Sequence, residues 1–263
     1  MTRVAEGRGP AGNDEFAETR QWLDSALGQA LLEQEMRLVE EALNGLFGEE
    51  CLQLGVWGEP RSFLRFARTQ RSACLAGPAH FAQDAAPSAI GRVHRLPIAS
   101  DSIDVVILPH TLDFSDRQHE TLREVRRVLR SDGHLIVLGM KPGGLWGLRR
   151  LVPGAALPPN TRRLIGDRQL TDWLKLLDMS LHGVTRYFFK WPLTGTRATH
   201  KETWEQRGRR WWPELAACYM LTAQKRLYTM TPVKQVWRRR PKVVGGLVEP
   251  TTRVSRIRFD SNR

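Results

Sequence analysis

Apolar and polar positions alternate most regularly between residues 96 and 140. The β-branched run at 103–108 follows a polar turn and is typical of a strand buried on both faces. From 119 to 129, apolar residues recur at three- and four-residue spacing, which predicts an amphipathic helix. The apolar run at 134–140 predicts a second buried strand. Two such strands joined by a helix indicate a right-handed βαβ unit in a parallel sheet.

Similar patterns predict elements on both sides of this unit. Apolar residues at helical spacing over 16–47 predict one long helix or two, broken near Gly28 and closed by Gly48. Further short apolar runs predict strands and helices, and the last two runs indicate an antiparallel hairpin. These strands are predicted at 51–54, 71–76, 93–96, 181–190 and 218–229, and the helices at 62–69 and 167–177. The whole pattern indicates an α/β fold.

The residues that follow the 103–108 strand are the first candidates for chemistry. Ligands of open parallel sheets bind beyond the carboxyl ends of the strands, which is where Pro109, His110 and Asp113 fall. His110 could act as a general base, or it could pack against a ligand. Asp113 could orient a nucleophile, or it could cap the following turn. Packing and capping are the roles that the sequence favours, so both residues are weak catalytic candidates.

Two segments here, LPIASDSIDVVILPHTLDF and LREVRRVLRSDGHLIVLGMKP, carry a resemblance. Together they resemble the second half of a class I S-adenosylmethionine-dependent methyltransferase domain of the methyltransferase type 11 kind. The resemblance covers roughly residues 50–233. It extends more narrowly to uncharacterised proteobacterial methyltransferase-domain proteins with a basic C-terminal tail. It implies a Rossmann-like, seven-stranded, mostly parallel sheet flanked by helices, and a methyltransferase that uses S-adenosyl-L-methionine.

The glycine turn after the first strand departs from the family pattern. The family has an acid within the strand and then Gly-x-Gly-x-Gly. This chain has Gln53 at the acid position, and Gly55, Trp57 and Glu59 at the three glycine positions, with Gly58 between the last two. A Trp ring at the second position would need space where the methionine part of the cofactor lies. Glycines in such a turn let the backbone approach a ligand closely.

Two acidic positions of the family are also replaced. The segment 75–78 has no acid to accept hydrogen bonds from the ribose, and Arg92 stands where an acid often reads the adenine. A guanidinium has only donors, although it could stack on the adenine ring. The resemblance still implies a cofactor site at the carboxyl edge of the sheet. The implied cofactor-binding residues are Gly55, Trp57, Gly58, Leu108, Pro109 and His110.

The segment after the fifth predicted strand, 143–166, is rich in Gly, Pro and Arg. In class I methyltransferases this region commonly contributes to the acceptor pocket, so the resemblance implies acceptor contacts from Trp146, Arg149 and Arg150. Arginines beside apolar residues suit an anionic, partly hydrophobic acceptor. The same pattern fits an amphipathic helix with solvated arginines.

The charge is concentrated near the C-terminus. The formal net charge is +12, and residues 232–263 hold nine Lys or Arg and only two acidic residues. This composition predicts a disordered basic tail at 234–263. The tail either solvates the protein or binds nucleic acid. Residues 1–15 are also predicted to be disordered, which leaves a methyltransferase-like domain over 16–233, with a helical extension at 16–48.

Three scattered cysteines indicate reduced thiols and argue against a zinc site, so we predict no metal. No apolar run is long enough to span a bilayer, and we expect a cytoplasmic protein. Two hypotheses remain. One is an S-adenosylmethionine-dependent methyltransferase with an unknown methyl acceptor. The alternative is a non-catalytic methyltransferase-like module that binds RNA or a protein partner through its basic surface.

Overall fold

The computed structural model describes residues 11–77, 87–144, 146–147, 158–189 and 212–226. The strands in these ranges are β1 (Phe47–Leu54), β2 (Arg68–Ala76), β3 (Ala89–Ile90), β4 (Ile103–Pro109), β5 (Leu129–Met140), β6 (Met179–Tyr187) and β7 (Cys218–Lys225). The α-helices are α1 (Ala11–Leu23), α2 (Ala26–Leu43), α3 (Gln118–Val128) and α4 (Asp167–Leu176). Short 3-10 turns lie at Leu64–Phe66 and Pro213–Leu215.

The strands form one sheet with the order β3-β2-β1-β4-β5-β7-β6. Neighbours from β3 to β5 pair in parallel. Strand β7 runs antiparallel to both β5 and β6. The predicted Rossmann-like sheet of seven mostly parallel strands, with its closing antiparallel hairpin, is therefore confirmed. The strand order reverses beside β1 and β4, so the carboxyl ends of β1 and β4 border the crevice where such folds bind ligands.

The sheet separates two apolar cores because alternate residues of each strand point to opposite faces. On one face, α1 and α2 pack on strand residues such as Cys51, Val105 and Ile136. On the other face, α3 and α4 pack on the alternate residues, such as Leu52, Val106 and Leu135. The N-terminal helices are thus one complete layer of the domain and not an appendage.

The break between the N-terminal helices lies earlier than predicted. Helix α2 begins after Ser25, whose Oγ accepts a hydrogen bond from the Gly28 amide at 3.2 Å and caps the helix. Gly28 lies inside α2, where a Cβ would come within 2.5 Å of the Trp22 carbonyl oxygen. Gly28 therefore permits close packing of the two helices.

Two other boundaries also differ from the predictions. Gly48 does not close a helix but lies in β1, where a Cβ would meet the Asp104 side chain at 2.6 Å. The helix predicted at 62–69 is reduced to the 3-10 turn, because β2 already begins at Arg68 and pairs with β1. The third strand lies at Ala89–Ile90 and not at 93–96. The predicted tail at 234–263 and residues 1–10 of the predicted disordered terminus 1–15 lie outside the described residues, whereas residues 11–15 belong to α1.

If α2 is a structural layer, shortening a core residue on it must destabilise the whole domain. Leu31 is fully buried, so Leu31→Ala is expected to lower the free energy of unfolding by about 2–5 kcal/mol. Leu176, at the end of α4, is 82% exposed, so Leu176→Ala is the matched control with an effect within about 0.5 kcal/mol. Urea denaturation of the full chain measures both, and equal effects would contradict the layer assignment.

Candidate functional site

A cavity of about 370 Å³ opens at the carboxyl ends of β1, β2 and β4. Its walls are the loops that follow these strands, together with α1 and the segment 158–162. The residues after β1 are Gly55, Val56, Trp57 and Gly58, and those from 77 to 94 are Gly77, Gly91, Arg92, Val93 and His94. The residues after β4 are Pro109, Thr111, Phe114, Ser115, Asp116 and Arg117, and the remainder are Thr19, Arg20, Leu23, Asn160 and Arg162.

The turn after β1 has a backbone that only glycine adopts readily. Gly55 and Gly58 have φ values of +88° and +74°. A Cβ on Gly55 would lie 2.7 Å from Thr111 Oγ1, and a Cβ on Gly58 would lie 2.9 Å from Leu32 Cδ2. The out-of-register Gly58 therefore has a definite structural role, because it lets the turn pack against α2.

Gln53, at the family's acid position, stabilises this turn through a buried hydrogen bond. Its side chain is fully buried, and Nε2 donates to the Gly55 carbonyl oxygen at 3.0 Å. A carboxylate could not make that bond, since it has no proton to donate. The other amide atom, Oε1, is buried and has no hydrogen-bond partner within the described structure.

Trp57, at the family's second glycine position, is only 1% exposed although it borders the cavity. Its Nε1 donates to a carboxylate oxygen of Glu35 at 2.7 Å. Its ring lies 4.4 Å from the His110 ring and 5.9 Å from that of Phe114, between centroids. The indole is thus anchored to the interior by its polar end.

Glu35 connects four parts of the fold. Its carboxylate is fully buried and contacts Trp57 after β1, His110 Nε2 after β4 at 2.7 Å, and the Tyr187 hydroxyl at the end of β6 at 2.9 Å. Glu35 itself belongs to α2. Three donors around one carboxylate satisfy a charge that would otherwise be very costly to bury.

Sequence reasoning missed Glu35, although one signal pointed to it. Glu35 lies three to four residues from Leu31, Leu38 and Val39, on the face of α2 that is otherwise apolar. A carboxylate on an apolar helix face must find partners inside the protein. The sequence did not indicate which residues those partners would be.

His110 is the centre of the second half of this network. Its Nδ1 lies 2.9 Å from Asp113 Oδ2, which also accepts from the Met140 amide at 3.0 Å. Burial opposes protonation of His110, but the adjacent Glu35 charge and the hydrogen bonds with Asp113 and Glu35 outweigh it. They raise the pKa of His110 to about 9. Both ring nitrogens face carboxylate oxygens, as expected of the protonated ring that this raised pKa favours.

Asp113 is held in the same buried position. Burial raises the pKa of its carboxyl above the usual value, against the opposing hydrogen bond and charge of His110. Its Oδ1 finds no hydrogen-bond partner among the described residues. Neither His110 nor Asp113 belongs to the cavity wall, and a catalytic role for either residue stays a prediction.

The remaining predicted site residues fall into three groups. Gly55, Trp57, Gly58 and Pro109 border the cavity, whereas Leu108 and His110 are buried behind it. Trp146 is 1% exposed and makes edge-on contacts with Trp22 and Phe188, at centroid distances of 5.7 and 5.2 Å, so it is a core residue. Arg149 and Arg150 lie outside the described residues. Cofactor contacts of the first group and acceptor contacts of Trp146, Arg149 and Arg150 stay predictions.

The cavity contains wall residues that the sequence did not identify. The segment 158–162 is far from β4 in sequence, yet the Arg162 amide donates to the Asp113 carbonyl oxygen at 2.9 Å. On its other side, Asn160 Nδ2 donates to Glu18 of α1 at 3.0 Å. These bonds place Arg162 at the cavity, which sequence spacing alone could not show.

Further observations concern metals and membranes. Over the ranges that the structure describes, no group of three or more His, Cys, Asp or Glu residues could hold a metal ion. The three cysteines are buried free thiols. None of the described helices is both long enough and apolar enough to cross a bilayer.

Comparisons with known proteins agree with the fold. A family model described as a methyltransferase domain matches residues 72–137. The uncharacterised protein YafS of Escherichia coli K12 is 36% identical over 145 residues, which are 53% of this chain and 56% of YafS. The chain thus matches just over half the length of that relative.

Solved structures extend the likeness to most of the chain. A SAM-dependent methyltransferase from Thermotoga maritima matches with a TM-score of 0.61 at 17% identity, over 81% of this chain and 97% of that one. The cyclase SpnF matches with a TM-score of 0.53 at 16% identity, over 86% of this chain and all of that one (100%). At such identities the likeness shows the fold, and activity must be argued from the site.

The Glu35 network predicts a large effect from a nearly isosteric change. Glu35→Gln removes the charge beside His110 and directs an amide N–H towards a neighbouring donor, so we expect a loss of about 2–4 kcal/mol in unfolding free energy. Glu33→Gln is the matched control on the same helix, because the exposed pair with Arg37 is worth at most about 1 kcal/mol. Urea denaturation measures both. A neutral Glu35→Gln would show that the network does not hold the fold.

The raised pKa of His110 predicts a pH dependence. Because the pKa of His110 is raised in the folded state, its protonated ring stabilises the fold fully below the ordinary pKa of 6.5. That contribution is lost as the pH rises through about 9. The lost stability is on the order of 3 kcal/mol. We expect the unfolding free energy to fall between pH 6.5 and 9, and to fall less in His110→Gln. Parallel profiles for the two proteins would refute the assignment.

Proposed function

We propose that this chain, which matches a methyltransferase domain over residues 72–137 and shares the fold of a SAM-dependent methyltransferase, binds S-adenosylmethionine in the described cavity and transfers a methyl group to an acceptor. One observation carries the proposal: the cavity lies against the glycine turn after β1, and the polar end of Trp57 is bonded to Glu35 in the interior. The Trp57 ring, which replaces the second glycine of the pattern, therefore does not by itself fill the cavity.

The residues present fit such a cofactor. The cavity volume of about 370 Å³ is within the range of about 300–1,000 Å³ for small-molecule sites. Gly55 and Gly58 supply close backbone approach after β1, and Gly77 and Gly91 do so on the β2 and β3 side. Arg92 lies in the wall where the family often has an acid, so stacking on the adenine ring is the contact that its chemistry allows.

Bound S-adenosylmethionine would supply a methyl group on a cationic sulfur, which leaves as a neutral thioether. The chain's own part is to hold and orient the reactants, which can supply much of the rate. The loop after β4 does this with Pro109, Thr111 and Phe114 in the wall. Thr111 Oγ1 donates to the Leu54 carbonyl oxygen and so ties the ends of β4 and β1 together.

A specific observation supports a second candidate, the non-catalytic module. Among the residues that line the cavity, Asp116 is the one acidic side chain, and Arg162 is bonded to it. A cavity without ribose- and adenine-reading acids could have lost its cofactor. On this reading, the basic surface would bind RNA or a protein partner instead. The two candidates differ in whether the cofactor binds.

The turn after β1 provides the test. Gly55→Ala places a Cβ at a positive φ and 2.7 Å from Thr111 Oγ1, so we expect the Kd for S-adenosylhomocysteine to rise at least about tenfold, or about 1.4 kcal/mol. Gly45→Ala is the matched control, because a Cβ there meets nothing within 4 Å. Isothermal titration calorimetry on the full chain measures both, with urea denaturation to verify folding. An absence of binding to the unsubstituted protein at millimolar ligand would favour the non-catalytic module.

A further inference from the structure

The mouth of the cavity has an excess of positive charge. Four arginines border it, Arg20, Arg92, Arg117 and Arg162, against the single acid Asp116. Converging cations in a concave site raise the local potential and concentrate anions. A cationic cofactor does not call for this excess, so the charge suggests a second, anionic ligand.

Two of these arginines meet at the loop after β4, one from the loop itself and one from the segment 158–162. Arg117 is the residue before α3, and the Arg162 guanidinium bonds to Asp116, the neighbour of Arg117 in sequence. Arg117 also makes a 3.2 Å pair with Glu120. The side chains of Arg117 and Arg162 are 59% and 46% exposed, so both retain surface that an incoming ligand can reach.

Arg162 is held in place by its backbone. Its amide donates to the Asp113 carbonyl oxygen, and the preceding Thr161 donates its hydroxyl proton to the Pro158 carbonyl oxygen at 3.2 Å. Asn160, with φ at +65°, is bonded to Glu18. A guanidinium on such a fixed segment loses less conformational freedom when it binds a planar anion in two places.

Resting on the proposed function, we infer that the methyl acceptor is a small molecule with an anionic group, a carboxylate or a phosphate, that docks on Arg162 and Arg117. Arg117 ends the loop after β4 and Arg162 is bonded to that loop, so both lie near the wall residues Phe114 and Ser115. The two arginines bind the anionic group of the acceptor. The apolar Phe114 ring faces the part of the acceptor adjacent to that group.

The test uses simple anions with the cofactor product bound. Saturating S-adenosylhomocysteine occupies the cofactor position with its own carboxylate, so a further anion reports the acceptor side. Benzoate and inorganic pyrophosphate are titrated by calorimetry into the full chain, with benzamide as the uncharged counterpart of benzoate. Binding by benzoate alone identifies a carboxylate acceptor, and binding by pyrophosphate alone identifies a phosphate acceptor. We expect at least one anion to bind and benzamide not to bind.

Two neighbouring arginines give a matched pair of variants. Arg162→Gln is expected to weaken anion binding about 5- to 30-fold, the range for a charge-assisted contact at a partly exposed site. Arg162→Lys should retain part of the affinity. Arg163→Gln removes an equal charge one residue away, on an exposed side chain outside the cavity wall, and should leave the Kd unchanged.

The outcomes separate this inference from the proposed function. Equal losses of anion affinity in Arg162→Gln and Arg163→Gln would show that only the general surface charge matters, and would overturn the inference. Equal binding of benzamide and benzoate, or no anion binding at all, would also overturn it. S-adenosylhomocysteine binding that persists in Arg162→Gln leaves the proposed function intact in each case. Tight binding of a single-stranded RNA 20-mer that outcompetes both small anions would also overturn the small-molecule acceptor.

Discussion

A single buried carboxylate holds the functional edge of this protein together. Glu35 reaches from α2 to the turn after β1, the residue after β4 and the end of β6 through Trp57, His110 and Tyr187. An ionised group at zero exposure persists only when its lone pairs are satisfied and a counter-charge is near. The imidazolium of His110 supplies that charge, and Asp113 fixes the other side of the ring. The positions of the glycine turn and of the β4 edge are therefore coupled.

This coupling explains how a departure from the family's glycine pattern is accommodated. A Trp in place of the second glycine brings a large ring to the edge of the cavity, and the network directs its polar end inward. Gly58, one position away from the expected glycine, adopts the positive φ and the close approach to Leu32 that the altered turn needs. Gln53 replaces the acid and donates to the turn that it underlies.

The charged residues at the cavity mouth differ from the buried Glu35 network in their exposure and in their effect on stability. The arginines there are partly exposed, and exposed pairs such as Arg117–Glu120 contribute little to stability. Their importance lies in what they attract. The interior network positions residues of the cavity wall, whereas the proposed selection of an anionic acceptor rests on the partly exposed arginines.

The β-branched runs and the helical spacing between 96 and 140 are local patterns with one consistent interpretation, and they sufficed to predict the βαβ unit, whereas the seven-stranded sheet followed from the resemblance. The sequence also predicted the edge at which the cavity opens, because the carboxyl ends of parallel strands share one side of a sheet. It failed at Gly48 and at the 62–69 segment, where pairing with neighbouring strands overrode local propensity. It took contacts across the fold to bury His110 between two carboxylates, to bond Trp57 to Glu35 and to bring Arg162 to the cavity. Each of these facts depends on contacts between residues far apart in sequence, as with the 75 positions that separate Glu35 from His110. A periodicity within one segment holds no information about such a contact.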